Sequence, residues 1–175
     1  MPFTPFHMGP GLLIKSLLQG SFSLMVFGWT QIVMDVQPLW VMITGLGHIH
    51  GFSHTIVGGT LLALFSALTG KYLSELGLSL LRIEKASQPV SITWWVAILS
   101  ALIGSYSHVL LDAIMHTDVE PLYPYTLNNA LWGIVSVSDL HKLCIYSGLG
   151  GAVLFYALQW RNSRYHNARS TRFKE

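Results

Sequence analysis

Residues 92–115 read ITWWVAILSALIGSYSHVLLDAIM, a run of apolar residues with a single charge, Asp112, near its end. Crossing the hydrocarbon core of a bilayer takes about 20 mostly apolar residues, so this stretch predicts a membrane-spanning helix. The same stretch also raises the functional question. An acid inside a spanning helix costs about 2.5–3.5 kcal/mol by insertion scales unless it is paired or faces water. His108 stands four residues before Asp112 and His116 four residues after it. That interval stacks side chains along one helical face.

Outward from this helix the pattern repeats. The segments 16–34, 36–70, 86–111, 121–138 and 143–160 contain no Asp, Glu, Lys or Arg. Residues 21–45, 54–70 and 143–160 therefore predict three further spanning helices. Residues 121–138 are long enough, but Pro121, Pro124, Asn128 and Asn129 make poor helix material. They predict an interfacial loop that runs into a helix near Asn129. Residues 10–19 cover only about 15 Å as a helix, half a bilayer, and predict a short re-entrant or interfacial segment. No basic residue precedes the first apolar run, unlike a secretory signal peptide.

Composition agrees. Of the 175 residues, 51% are hydrophobic and 10% charged, against roughly 25% charged in a soluble domain. The mean hydropathy is +0.49. A soluble globule, a disordered chain and a coiled coil are all excluded. A net charge of +2 is too small to call for nucleic acid or any other polyanion. The single cysteine, Cys144, excludes a disulfide scaffold and cysteine-cluster metal sites. The predicted fold is an all-α polytopic membrane helix bundle, with about four spanning helices plus the short N-terminal helix. It forms one membrane-embedded domain over residues 1–160, followed by a basic tail over 161–175.

Eleven of the 18 charged residues fall within 71–85 and 161–175. Both stretches are basic on balance, which marks the cytoplasmic side and predicts a cytoplasmic C-terminus. Five of the remaining seven charges are acids: Asp35, Asp112, Asp118, Glu120 and Asp139. His7, His48, His50, His54, His108, His116 and His141 also lie outside the basic stretches. In the predicted topology, His50, His54, His108, Asp112, His116, Asp118 and Glu120 meet at the opposite membrane face. Asp35 lies a few turns below that face, and His7 returns to it if the first segment is re-entrant. Imidazoles with carboxylates suit zinc, manganese or iron, and two such ions can share one ligand set. Magnesium or calcium alone would want more oxygens. A bland alternative is a set of paired ions that only lock the bundle.

These residues resemble a family. His7, Asp35-Val36-Gln37-Pro38, His50-Gly51-Phe52-Ser53-His54-Thr55 and Ser107-His108-Val109-Leu110-Leu111-Asp112 look like the motifs of bacterial inner-membrane metal-dependent hydrolases. That family is the LexA-binding, inner membrane-associated hydrolase type, formerly a domain of unknown function. Its pattern is an N-terminal His, an Asp-x-Asp, a His-Arg-Gly-Phe-Thr-His-Ser and a Ser-His-x-x-x-Asp element, then a Pro-and-aromatic tract. Here that tract is residues 119–125. Two departures stand out: Gln37 replaces the second acid of Asp-x-Asp, and the element starting at His50 is one residue shorter and lacks the arginine. The resemblance implies metal ligands His7, Asp35, His50, His54, His108 and Asp112, and a place in the bacterial inner membrane. A more distant likeness to zinc-dependent phospholipase C enzymes suggests phosphoester cleavage, by analogy alone.

The leading expectation is a membrane-embedded hydrolase holding one or two divalent ions, most simply zinc. Such an ion lowers the pKa of bound water towards ~7, with His116, Asp118 or Glu120 handling the proton. A site at the membrane interface favours a lipid-like or phosphoester substrate. The competing expectations are a small proton- or metal-ion transporter or permease subunit, which uses intramembrane acids and histidines, and a structural membrane subunit.

Overall fold

The computed structural model describes residues 5–81 and 91–172, with the side chains of 6–81 and 91–165. Arg82 and Lys85 of the first basic stretch, and Lys174 of the second, lie outside the described residues. Six α-helices form the bundle: α1 (Met8–Leu18), α2 (Leu24–Met34), α3 (Val36–Thr44), α4 (Ile56–Leu80), α5 (Trp94–Met115) and α6 (Val137–Arg172). No strand occurs among the described residues. Three of these helices are long and apolar enough to cross a membrane: α4, α5 and Val137–Tyr165 of α6. The protein is an all-α membrane helix bundle with about three long spans, not four.

The fourth expected span, 21–45, is broken at Asp35 into α2 and α3. Pro38 explains the break, because it has no N–H to donate to the Met34 carbonyl one turn back. α3 then stops at Gly45, whose φ of +70° closes the helix with a bond to the Val41 carbonyl. What replaces the fourth span is a helical hairpin. α1 and α2 have 11 residues each, about 16 Å and half a bilayer. They are joined by a tight 3-10 turn at Gln19–Ser21. The Lys15 ammonium donates to the Gln19 and Phe22 carbonyls at 2.7 Å each, satisfying the turn from within. The hairpin returns His7, just ahead of α1, to the level of Asp35, just after α2. The short first helix is thus one arm of a re-entrant pair.

Other boundaries also shift. α4 begins at Ile56 because the Thr55 hydroxyl accepts from Gly58 N. It runs ten residues past Gly70, which brings the Lys71–Glu75 ion pair into the helix. No helix starts near Asn129. Its side-chain amide instead donates to the Ala113 and His116 carbonyls, capping the end of α5. α6 starts eight residues later at Val137, after the Ser136 hydroxyl accepts from Asp139 N. It continues through the expected tail to Arg172.

The helices pack through small residues, as membrane helices do where backbones approach closely. α2, α4 and α5 form the core, with Ala63 and Ala67 of α4 clustered with Ala97 and Ala101 of α5. The Ser105 hydroxyl donates to Gly59 O across the α4–α5 contact. α1 lies along α6, backbone against backbone. A Cβ on Gly9 would fall on the Cys144 carbonyl, and one on Gly151 would strike the backbone of Leu13. The opposite faces are apolar and exposed, among them Leu61 and Leu68 on α4 and Leu149, Val153 and Tyr156 on α6. In a bilayer these are the lipid-facing surfaces.

Candidate metal centre

Four elements deliver five side chains to one place. His7 arrives from the turn before α1, Asp35 from the α2–α3 break, and His54 from the 3-10 turn Phe52–His54 before α4. His108 and Asp112 come from the last two turns of α5. All five are buried. Asp112 is the hub: His7 Nε2 lies 3.3 Å from its Oδ1, and His54 Nε2 and His108 Nε2 lie 3.1 and 3.2 Å from its Oδ2. Asp35 Oδ1 lies 3.5 Å from His108 Nε2. The His7 and His108 rings stack at 4.5 Å, and His54 meets His108 edge-on at 5.2 Å.

Partners on the far side of the rings decide which nitrogens face the hub. Gln31 Nε2 donates to Gly104 O at 2.9 Å, which turns the amide oxygen towards His108. That oxygen can only accept, so His108 Nδ1 donates to it, at 2.8 Å. The remaining His108 nitrogen, Nε2, then faces the Asp35 and Asp112 carboxylates. Ser53 Oγ stands 2.8 Å from His54 Nδ1 and holds that ring through a bond in which the hydroxyl can donate or accept. His54 Nε2 and His108 Nε2 are buried, close to carboxylate oxygens, yet out of hydrogen-bond alignment with them. Burial holds the His54 pKa below its ordinary value despite the attraction of Asp112, which keeps the ring neutral and available as a ligand.

This is the layout of a metal-ligating histidine, whose second nitrogen is fixed by an outer partner. The spacing fits as well. Ligand atoms about 2.0–2.2 Å from a tetrahedral zinc stand roughly 3.3–3.6 Å from one another, and the imidazole–carboxylate contacts of the hub, those of Asp112 and of Asp35 together, span 3.1–3.5 Å. His7–His108–Asp112 and Asp35–His54–His108 are each sets that can hold a metal ion. So the donor set present is a suitable one, three imidazoles with two carboxylates.

A second group lies towards the loops. His50 Nδ1 donates to Asp118 Oδ2 at 2.9 Å, and His50 stacks on His116 at 4.3 Å. His50, His116 and Asp118 form another set that can hold a metal, and His50–His54–Asp112 links the two groups. Burial, with His50 alongside, holds His116 below its ordinary pKa. Burial alone would raise Asp118, but its bond to His50 holds it low. A polar cavity of about 340 Å³ opens beside this group, lined by His48, His50, Asp118, Glu120 and Tyr123 among others.

The expected ligands His7, Asp35, His54, His108 and Asp112 therefore converge, and His50 stands one step outward. His116 does not continue the face of His108 and Asp112. It caps α5 with extended backbone (φ −119°, ψ 133°) and turns to His50 instead. Glu120 reaches the outer cavity and not the hub. Sequence reading missed Gln31 and Ser53, the two orienting partners. Gln31 was legible as the residue one turn before Asp35 on the same helical face. Gln37, the departure from Asp-x-Asp, accepts from Ser53 N at 2.9 Å and donates to His48 O at 3.3 Å. It ties the histidine loop to α3. Comparison of the chain with protein-family models, with curated proteins and with solved structures finds no match.

Proposed function

We propose that the chain is a membrane-embedded metal-dependent hydrolase acting on a lipid-like or phosphoester substrate. The observation that carries this is the pair of oriented imidazoles, His54 and His108, whose Nε2 atoms face Asp112 and Asp35 without hydrogen-bonding them. His7, Asp35, His54, His108 and Asp112 would hold a divalent ion, most simply zinc, with manganese or iron also suited to the set. His50, His116 and Asp118 offer room for a second. When bound, such an ion supplies a hydroxide equivalent near neutral pH and polarises the scissile bond.

The chain's own residues supply the rest. Gln31 and Ser53 fix the ligand rings. Asp118 sets the tautomer of His50. Glu120, on the wall of the outer cavity, stands where a proton can pass between the leaving group and water. The resemblance to bacterial inner-membrane hydrolases supports the same reading, as does the basic character of 71–85 and 161–175. Both support a cytoplasmic C-terminus and a site near the opposite face of the inner membrane.

The test is metal analysis of the detergent-purified protein, wild type beside His108→Ala and Asp112→Ala. Stoichiometric zinc, manganese or iron in wild type and its loss in both variants is expected. A metal-replete wild type without stoichiometric metal removes the basis of the reading.

A further inference from the structure

A second cavity, of about 590 Å³, lies on the other side of the hub from the polar one. Its volume is in the range of about 300–1,000 Å³ typical of small-molecule sites. It is a groove along one face of α2, walled by Met8 of α1 and by Leu73 and Ser74 of α4. Its chemistry changes along its length. At one end are Gln31 and Asp35, which belong to the metal centre; at the other are Leu24 and Met25. From Leu24 to Asp35 the groove follows about 16 Å of helix, half the hydrocarbon thickness.

The groove also has an opening. Met25, Ile32 and Leu73 are 43%, 43% and 45% exposed, on surfaces that meet lipid in a bilayer. Gly28 keeps the middle clear, since a Cβ there would come within 3.3 Å of the Met8 methyl. We propose that this groove holds the acyl chain of a membrane lipid. The chain enters sideways from the bilayer, and the lipid's polar group comes to rest at Asp35.

Polarity selects this occupant. A lipid in a leaflet carries its polar group at the interface and its chain towards the midplane. The groove has the same sense, with Asp35 near the site face and Met25 near the tip of the half-bilayer hairpin. A soluble metabolite would leave the apolar length unfilled. A peptide would bring backbone N–H and C=O groups into a wall that cannot bond them. The centre thus stands between a water-side polar cavity and a lipid-side apolar groove, where an amphiphile and water can meet from opposite sides. This inference deepens the hydrolase reading and rests on it for the role of the Asp35 end, naming acyl lipids as the substrate class.

The experiment uses the full chain in bilayer discs of phosphatidylethanolamine and phosphatidylglycerol. The discs are doped with a phospholipid bearing a diazirine midway along one acyl chain. After irradiation, cross-links are mapped by mass spectrometry, and metal content is measured in the same samples. Labelling is expected to concentrate on 24–32 and 73–74 over the lipid-facing residues Leu149 and Val153. Gly28→Leu, which plugs the groove from α2, is expected to lower it about tenfold. Leu73→Trp plugs it from the other wall, so a folding defect in one variant does not decide the outcome. Labelling spread evenly over the lipid-facing surface, or undiminished in both plugged variants, overturns the proposal even where metal is present. Concentrated labelling in a protein that binds no metal upholds the groove and removes the hydrolase.

Discussion

Replacing Gln31 by leucine keeps the length of α2 and nearly the same volume, but removes the oxygen to which His108 Nδ1 donates. Two consequences separate. The first is on the fold. The Gly104 carbonyl loses the Gln31 amide, yet it keeps the Ser107 hydroxyl at 3.0 Å. No acceptor is stranded, but the buried His108 Nδ1–H loses its partner, so the loss is about 1–3 kcal/mol. The second is on the metal. Without an acceptor for Nδ1–H, the His108 ring is free to rotate or change tautomer, and its Nε2 no longer faces Asp35 and Asp112 by default. Loss of such an outer partner lowers metal affinity about 10–100-fold, or roughly 1.4–2.7 kcal/mol. The assay is zinc competition against a chromophoric chelator in detergent, beside thermal unfolding of the metal-free protein. A double cycle with His108→Ala completes it. If Gln31 acts through His108, Gln31→Leu adds little in the His108→Ala background. Wild-type zinc affinity in Gln31→Leu, or full additivity in the cycle, would refute the reasoning.

Further outcomes follow from the same contacts. Asp112→Asn keeps the shape of the hub but removes the charge that His7, His54 and His108 share; metal retention by this variant, read by elemental analysis, would contradict the assignment. Chelation is expected to lower the unfolding temperature of wild type. Restoring free metal to about 100 times its Kd should return roughly 2.7 kcal/mol, and Asp112→Asn should show neither effect. Gly151→Val drives a side chain into the backbone of Leu13 and should part α1 from α6 at a cost of about 1–3 kcal/mol, measured by unfolding in detergent. Asn129→Ala frees the Ala113 and His116 carbonyls and should lower stability by about 1–2 kcal/mol, with metal content unchanged.

The helical class and the convergence of the buried histidines and acids were legible because both depend on patterns a chain shows locally. Long charge-free runs announce α4, α5 and α6, and the interval from His108 to Asp112 survives in α5 because that segment is a regular helix. The same rule misplaced His116, since one residue beyond the last turn the backbone is extended and the four-residue interval no longer means one face. The break at Asp35 was also within reach: Pro38 stands three residues later, where its missing N–H ends α2. Apolarity outweighed it because a break costs nothing in a hydropathy count. Gln31 was legible in position, one turn before Asp35, but its role depends on Gly104 and His108 lying opposite, which is tertiary information. Ser53 adjoins His54 in sequence, and only the local turn brings its hydroxyl to the ring. The turn at Gln19–Ser21 was marked by Gly20 and Ser21, but the Lys15 ammonium that closes it looked like a stray charge.

The electrostatics of the hub frame the choice between a metal and a plain network of paired ions. Asp112 lies in the last turn of α5, where the helix dipole disfavours a carboxylate by about 0.3–1 kcal/mol. Its membrane setting adds a further penalty of a few kcal/mol. Among the described residues the lysines are engaged elsewhere: Lys15 in the hairpin turn, Lys71 with Glu75 and Lys142 with Asp139. The charges that the described residues bring to Asp112 are protons on its three imidazoles, and the same imidazoles can hold a metal ion. The His54 and His108 rings stand at 3.1 and 3.2 Å from the same Asp112 oxygen, while His7 approaches the other. That convergence pairs imidazoles with a carboxylate, and the same atoms can hold a metal ion, so metal content is the measurement that separates the two.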